Sequence, residues 1–186
     1  MNPTKIMMIR HAEKPHVGGP NGVAADGTQD EHSLIVQGWQ RAGALVAFFA
    51  PANGILQHTA IATPKYIFAA NGETTAKSVR SKETVTPLAS KLADKAETNF
   101  NFGAGQETQV AAALLQCNGV VLIVWEHHNI PTITSHFPIS PNNKMSVPLW
   151  PDDRFDLVWV FDLDPSGGGY LFSQVPQVLL AGDGPV

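Results

Sequence analysis

The chain is poor in cysteine and in charge, and it has no long apolar run. Of its 186 residues, 15% are charged and only Cys117 carries a thiol, which excludes an internal disulfide. No apolar stretch approaches the roughly 20 residues of a membrane-spanning helix. The apolar run after Lys5 is too short for a signal peptide, because Arg10 ends it. These absences favour a soluble protein outside the membrane, and we expect it to be cytoplasmic.

An excess of basic residues is missing as well. The net charge of −4 leaves no basic patch for nucleic acid or an anionic membrane surface, so neither is an expected partner. The length suits one domain with a proper core, and neither an internal repeat nor a linker divides the chain. We therefore expect a single domain over residues 1–186.

Near the start, a short apolar run leads into an arginine and a histidine. The run 6–9 is bounded by Pro3 and Pro15, which is typical of a strand buried on both faces of a parallel sheet. Arg10 and His11 follow it, where ligands bind in open α/β sheets. A guanidinium and a neutral imidazole suit a phosphate, since one offers a fork of donors and the other a nucleophilic nitrogen. Taken alone, this segment is equally consistent with a histidine that only satisfies hydrogen bonds at the end of the strand.

A second apolar strand also ends in histidines. The β-branched run 119–125 is the clearest strand in the sequence, and Glu126, His127 and His128 follow it directly. Between the two strands, Arg80 precedes an apolar helix face and should lie near a helix N-terminus, where free N–H groups can hold an anion. Pro87 favours a helix that begins later than Arg80.

The remaining pattern predicts an α/β protein. Ser33 should cap a helix over 34–49, and residues 176–186 should drape over the surface. Residues 155–163 and 170–175 are spaced as a hairpin, so one of the two strands should run antiparallel to the main sheet. We further expect a strand at 66–70, an edge strand at 97–102 and helices over 110–115 and from Pro131.

Four segments together resemble the histidine phosphatase superfamily, which has the phosphoglycerate mutase-like fold. They are Arg10-His11, Leu34-x-x-x-Gly38-x-Gln40-x-Ala42, Ser78-x-Arg80-x-x-Glu83-Thr84 and Val121-Leu122-Ile123-Val124-x-x-His127. They follow the family's order over most of the chain, and the length is similar to that of the small phosphatase branch. The resemblance implies a three-layer αβα sandwich whose central sheet is mostly parallel with an antiparallel strand.

The resemblance also implies a reaction. His11 would be the nucleophile that forms a transient phosphohistidine, which water then hydrolyses. Arg10, Arg80 and a protonated His127 would line one pocket and hold the phosphoryl oxygens. The second ring nitrogen of His11 should donate to a backbone carbonyl, which fixes the tautomer. A metal-independent phosphomonoester hydrolase without a cofactor would follow, acting on a small phosphorylated substrate or a phosphoprotein.

The proton donor is less well defined by these motifs. Glu107 is the first candidate, because its separation from Arg80 is like that of the acid in mutase-type members. His128 is the second, and Glu126 and Glu13 are close enough in sequence to act or to pair with the arginines. Together with Lys14, Glu13 and His128 are also candidates for substrate binding. Two departures from the family pattern, Ala12 after the nucleophile and Glu126 before the second histidine, affect the shape of the substrate entrance.

Three other interpretations remain open. A phospho-ligand binding module could keep the fold without turnover, although it would not need a nucleophilic histidine. A phosphomutase would need long insertions to enclose its substrate, and we find none in the sequence. A metal hydrolase could be built on residues 126–128 with His11. Adjacent histidines on a strand should point to opposite faces, however, and no HExxH or paired-cysteine spacing occurs.

Overall fold

The computed structural model describes residues 2–72 and 78–185, and a six-stranded sheet forms its centre. In chain order the strands are β1 (Lys5–Arg10), β2 (Tyr66–Ala69), β3 (Glu97–Asn99), β4 (Val120–Trp125), β5 (Leu157–Leu163) and β6 (Tyr170–Pro176). Across the sheet their order is β3-β2-β4-β1-β5-β6. Strand β5 is antiparallel to both of its neighbours, and the other pairs are parallel. The α/β class and the mostly parallel sheet with one reversed strand are thereby confirmed.

Helices cover both faces of the sheet. They are α1 (Val36–Phe49), α2 (Arg80–Lys91), α3 (Glu107–Leu114) and α4 (Ile130–Thr134). Helices α1 and α2 pack in one core cluster, and α3 and α4 pack in the other. Side chains of β1 alternate between the two, with Ile6 and Met8 in one cluster and Met7 and Ile9 in the other. A strand buried on both faces has to be apolar throughout, which is why the run 6–9 has no polar residue.

The ends of β1 and β4 define where a site can form. These strands are parallel neighbours, with Arg10 in register with Trp125. The backbone N–H of His11 donates to the carbonyl oxygen of Trp125 at 3.0 Å. The carboxyl ends of the two strands therefore meet at one edge of the sheet, and His11 lies beside the segment 126–128.

The start of two helices differs from the prediction. Ser33 does not cap α1; its hydroxyl lies 2.7 Å from carboxylate oxygens of Asp30 and Glu83, and Ile35 occupies the N-cap position. Helix α2 begins at Arg80 and contains Pro87 in its interior. Proline removes one backbone donor there, and the burial of Val85 and Leu88 against the sheet offsets that loss.

The C-terminal segment lies over the surface, as predicted, and is anchored there by polar contacts. The carboxylate of Asp183 accepts from both terminal nitrogens of Arg41, at 2.7 and 3.1 Å. Gln177 is buried and binds Arg41 and the carbonyl of Leu157. The sequence did not reveal this anchor, because polar residues that hold a segment resemble surface residues in composition. In the described part of the chain, 2–72 and 78–185, none of the helices has the length and apolar character that crossing a membrane requires.

Candidate active site

A cavity opens at the edge of the sheet where β1 and β4 end. It has a volume of about 180 Å³, roughly ten times the space that one water molecule needs. The side chains that line it include three histidines, two cations and one carboxylate: His11, His127, His128, Lys14, Arg80 and Glu126. The two strand ends thus bring their histidines to one cavity, as the sequence predicted.

The ring of His11 is held in one tautomer. Its Nδ1 lies 2.8 Å from the carbonyl oxygen of Ala12. Because a carbonyl only accepts hydrogen bonds, Nδ1 must carry the proton, and the neutral ring keeps its lone pair on Nε2. Burial, aided by the charge of Arg10, lowers the pKa of His11 to about 3. The ring is therefore neutral near pH 7 and has the form that a nitrogen nucleophile requires.

Two cations face the same cavity as His11. Arg80, at the first position of α2, donates from Nη2 to the carbonyl of Glu31 at 2.6 Å and from Nε to that of Ser33 at 3.3 Å. Lys14 is half-buried, and burial together with the charges of Arg10 and Arg80 lowers its pKa. Positive charge in a partly enclosed cavity attracts an anion more strongly than the same charge in open solvent.

Arg10 lies beside the cavity and not among its lining residues. Its Nη1 donates to the carbonyl oxygen of Asp152 at 2.5 Å, and its guanidinium stacks 3.8 Å from the ring centre of Phe155. With Lys14 it lines a second, neighbouring cavity. The expectation that Arg10 and Arg80 line one pocket is therefore corrected, because the loop 150–156 supplies acceptors that draw the guanidinium away. Burial lowers the pKa of Arg10 to about 10, so it stays charged near pH 7.

His127 and His128 lie side by side. Their ring centroids are 3.8 Å apart, and Nε2 of His127 is 3.3 Å from a carboxylate oxygen of Asp152. The prediction that adjacent histidines point to opposite faces is wrong, since β4 ends at Trp125 and the pair belongs to the turn that follows. Burial and the charges of Arg10 and His128 lower the pKa of His127 to about 4. The ring is therefore neutral near pH 7 in the free site, and not protonated as expected.

Of the three glutamates that the sequence singled out, only Glu126 lines the cavity, whereas Glu107 and Glu13 do not. Glu126 lines the cavity, and its Oε1 accepts from Asn129 Nδ2 at 2.5 Å. Glu107 is buried and does not line the cavity. Its Oε1 accepts from Trp125 Nε1 at 3.1 Å and from Asn129 Nδ2 at 2.9 Å. This location does not support Glu107 as the first candidate for the proton donor. Its spacing from Arg80 predicted a position close to the site, but the spacing could not show whether its carboxylate lines the cavity.

Glu13 forms an internal ion pair away from the main cavity. Its Oε1 accepts from Nε and Nη2 of Arg41 at 3.0 and 2.7 Å. The structure thus pairs Glu13 with an arginine, as the sequence allowed, but the arginine is Arg41, which sequence reasoning did not single out. Arg41 lies on the apolar face of α1 beside Ala42 and Leu45, and a charge in that position indicates a buried partner. Asp152 was missed too, because nothing in its loop marks it.

Comparison with known proteins leaves the family open. No protein-family model matches the sequence. No curated protein matches it either. Among solved structures, one named "Mycobacterial hydrolase 2" is similar, with 11% sequence identity and a TM-score of 0.45 over 94% of this chain and 90% of that chain. The name belongs to that neighbour, and the function proposed for this chain rests on the residues of its own site.

Proposed function

We propose that this protein is a phosphomonoester hydrolase that works through a phosphohistidine on His11. The sequence motifs that resemble the histidine phosphatase superfamily supply the expectation. The three layers and the single reversed strand are compatible with its phosphoglycerate mutase-like fold. The substrate would be a small phosphorylated molecule or a phosphorylated protein side chain.

The observation that carries this proposal is the tautomer of His11. A histidine with only a structural role has no need to keep an unprotonated nitrogen beside a cavity. Here Nδ1 is committed to the carbonyl of Ala12, and the ring lines a cavity together with Arg80 and Lys14. A neutral nucleophile next to fixed positive charge is what phosphoryl transfer requires, because charge develops on the equatorial oxygens of the phosphoryl group.

The reaction proceeds in two displacements at phosphorus. Nε2 of His11 attacks the phosphorus while the bond to the leaving oxygen breaks, and Arg80 and Lys14 hold the phosphoryl oxygens. One N–H of His127 donates a hydrogen bond to the same group. Water then attacks the phosphohistidine, the N–P bond breaks, and phosphate is released. No step needs a metal ion or a cofactor.

Glu126 is the proton donor in this proposal. It is the carboxylate among the cavity's lining residues, and the hydrogen bond from Asn129 holds it in position. It gives its proton to the leaving oxygen in the first displacement and takes one from the attacking water in the second. His128 is the alternative donor, but it is exposed and its ring stacks on His127.

Hydrolysis of p-nitrophenyl phosphate tests the proposal. We expect turnover by the parent protein and a loss of at least roughly 1,000-fold in His11→Ala, since the nucleophile is gone. His136→Ala is the matched control, because His136 is exposed and lies outside the cavity lining. Activity of His11→Ala within about tenfold of the parent would refute the nucleophile. An inactive parent that still binds phosphate or vanadate would indicate a binding module instead.

A further inference from the structure

We propose that His127, His128 and Asp152 form a binding site for one divalent transition-metal ion, of which Zn²⁺ is the reference case. One ligand atom from each residue can be chosen so that all three lie within 4.8 Å of one another. The two histidines come from the turn after β4, and the aspartate comes from the loop before β5. Two separate parts of the chain thus converge on one point at the rim of the cavity.

The spacing between His127 and Asp152 suits tetrahedral zinc. Bonds of about 2.0–2.1 Å place the ligand atoms of a tetrahedral zinc site about 3.3–3.4 Å apart. Nε2 of His127 and Oδ1 of Asp152 are 3.3 Å apart without an ion. His128 supplies the third ligand atom within 4.8 Å, and because its side chain is exposed it can rotate to bring a ring nitrogen closer to the other two.

The donor set favours a borderline ion over a hard one. Two imidazoles and one carboxylate suit Zn²⁺, Ni²⁺ or Cu²⁺, whereas Mg²⁺ and Ca²⁺ prefer oxygen ligands only. Three protein ligands leave a coordination position for water or for an oxygen of a bound molecule. Asp152 is largely exposed, which provides a route from solvent. The nearby charges of Arg10 and Lys14 oppose a cation, so we expect micromolar rather than nanomolar affinity.

Such an ion would inhibit hydrolysis, a consequence that rests on the proposed function. His127 lines the phosphate cavity, and a ring that coordinates a metal is held towards Asp152 and no longer free to follow the phosphoryl group. The ion and the substrate therefore compete for His127. Binding itself does not depend on turnover, so it can be measured on the protein without substrate.

The test is a Zn²⁺ titration of the full chain against a chromophoric chelator, repeated with Co²⁺, whose visible absorption reports tetrahedral coordination. We expect one ion per chain, and affinity reduced at least about tenfold in His128→Asn and Asp152→Asn because each removes a ligand. Asp153→Asn is the matched control, since it removes the same charge one residue away. His136→Asn controls for loss of an exposed histidine. Both controls should bind Zn²⁺ within about twofold of the parent.

Three results would overturn the site: no binding by the parent, parent-like binding by both ligand variants, or equal loss in Asp153→Asn. The activity arm separates this proposal from the proposed function. Zn²⁺ should lower p-nitrophenyl phosphate hydrolysis by the parent, and EDTA should restore it. Binding of Zn²⁺ without any hydrolysis would support the metal site and refute the proposed phosphatase activity. Hydrolysis that requires Zn²⁺ would contradict the inhibition and indicate a metal hydrolase.

Discussion

The backbone N–H of Ala12 donates to the hydroxyl oxygen of Thr84 at 2.8 Å. That hydroxyl in turn donates to the carbonyl oxygen of Arg80 at 2.7 Å. Since the carbonyl of Ala12 accepts from Nδ1 of His11, one buried threonine connects Ala12, which orients the proposed nucleophile, with the first residue of α2. Thr84 is therefore a positioning residue that fixes His11 and Arg80 relative to each other.

Thr84→Val tests this connection. Valine has the same shape but leaves the buried N–H of Ala12 without a partner, which should cost about 1–3 kcal/mol of unfolding free energy. Hydrolysis should fall in kcat more than it changes KM, and Thr84→Ser should restore most of it. Thr86→Val makes the same chemical change at an exposed position of α2 and should be neutral in both measurements. Equal behaviour of the two valine variants would contradict the positioning role.

Glu126→Gln should show a dependence on the leaving group. An alkyl phosphate needs a proton on its leaving oxygen, so its hydrolysis should fall roughly 100-fold. The p-nitrophenolate ion leaves without a proton, so that substrate should lose less than about tenfold. Glu107→Gln weakens the hydrogen bonds to Trp125 and Asn129 and should affect both substrates equally. A dependence on the leaving group in Glu107→Gln but not in Glu126→Gln would contradict Glu126 as the proton donor and support Glu107 instead.

His11 and His127 should titrate far below the ordinary range of a histidine. Burial, together with the charge of Arg10, lowers the pKa of His11 to about 3 and that of His127 to about 4, from an ordinary value of 6.5. The unfolded chain would bind protons on these rings as the pH falls below about 6.5 while the folded chain would not, so their contribution to stability is lost as the pH falls. NMR titration of the ring resonances of His11 and His127 measures this. A midpoint near 6.5 for His11 would contradict the buried, neutral nucleophile.

The anchor of the C-terminal segment predicts an acid-sensitive stability. Burial alone would raise the pKa of Asp183, but hydrogen bonds from Arg41 and from the N–H groups of Leu179 and Leu180 lower it below its ordinary 3.8. A depressed carboxyl pKa stabilises the folded chain above that value, and the contribution disappears as the pH falls through the folded pKa.

Asp183→Asn should therefore lower the unfolding free energy by about 2 kcal/mol near pH 7. At an acidic pH, below the lowered pKa of Asp183 in the folded chain, the difference from the parent should shrink towards zero. Denaturant unfolding at both pH values measures it, with Asp94→Asn as an exposed control. A difference that stays constant with pH would contradict the ion pair as its source.

The features that the sequence predicted are those with a local, repetitive signal. The apolar runs of β1 and β4 are continuous because both faces of each strand are buried. The burial of these strands can therefore be predicted from the sequence alone. Their shared edge then follows from parallel pairing, and this predicts that His11 lies beside His127. The hairpin spacing predicted in the same way that one of its two strands is reversed, and the reversed strand is β5.

The features that the sequence did not reveal depend on contacts between distant parts of the chain. The loop 150–156 has no periodicity, yet the carbonyl of Asp152 determines where Arg10 points. Glu13 pairs with Arg41 on α1, and Glu107 binds the indole of Trp125 instead of lining the cavity. Local spacing identifies such residues but cannot determine which cavity each side chain faces, because long-range packing decides it.

The chemical stability of a trapped phosphoenzyme tests the central claim most directly. The parent protein is quenched during turnover of a radiolabelled phosphomonoester, and the label on the chain is followed in acid and in base. A phosphohistidine is a phosphoramidate, so the label should survive base, disappear in acid and be absent from His11→Ala. An acid-stable label, or a label that persists in His11→Ala, would contradict the account.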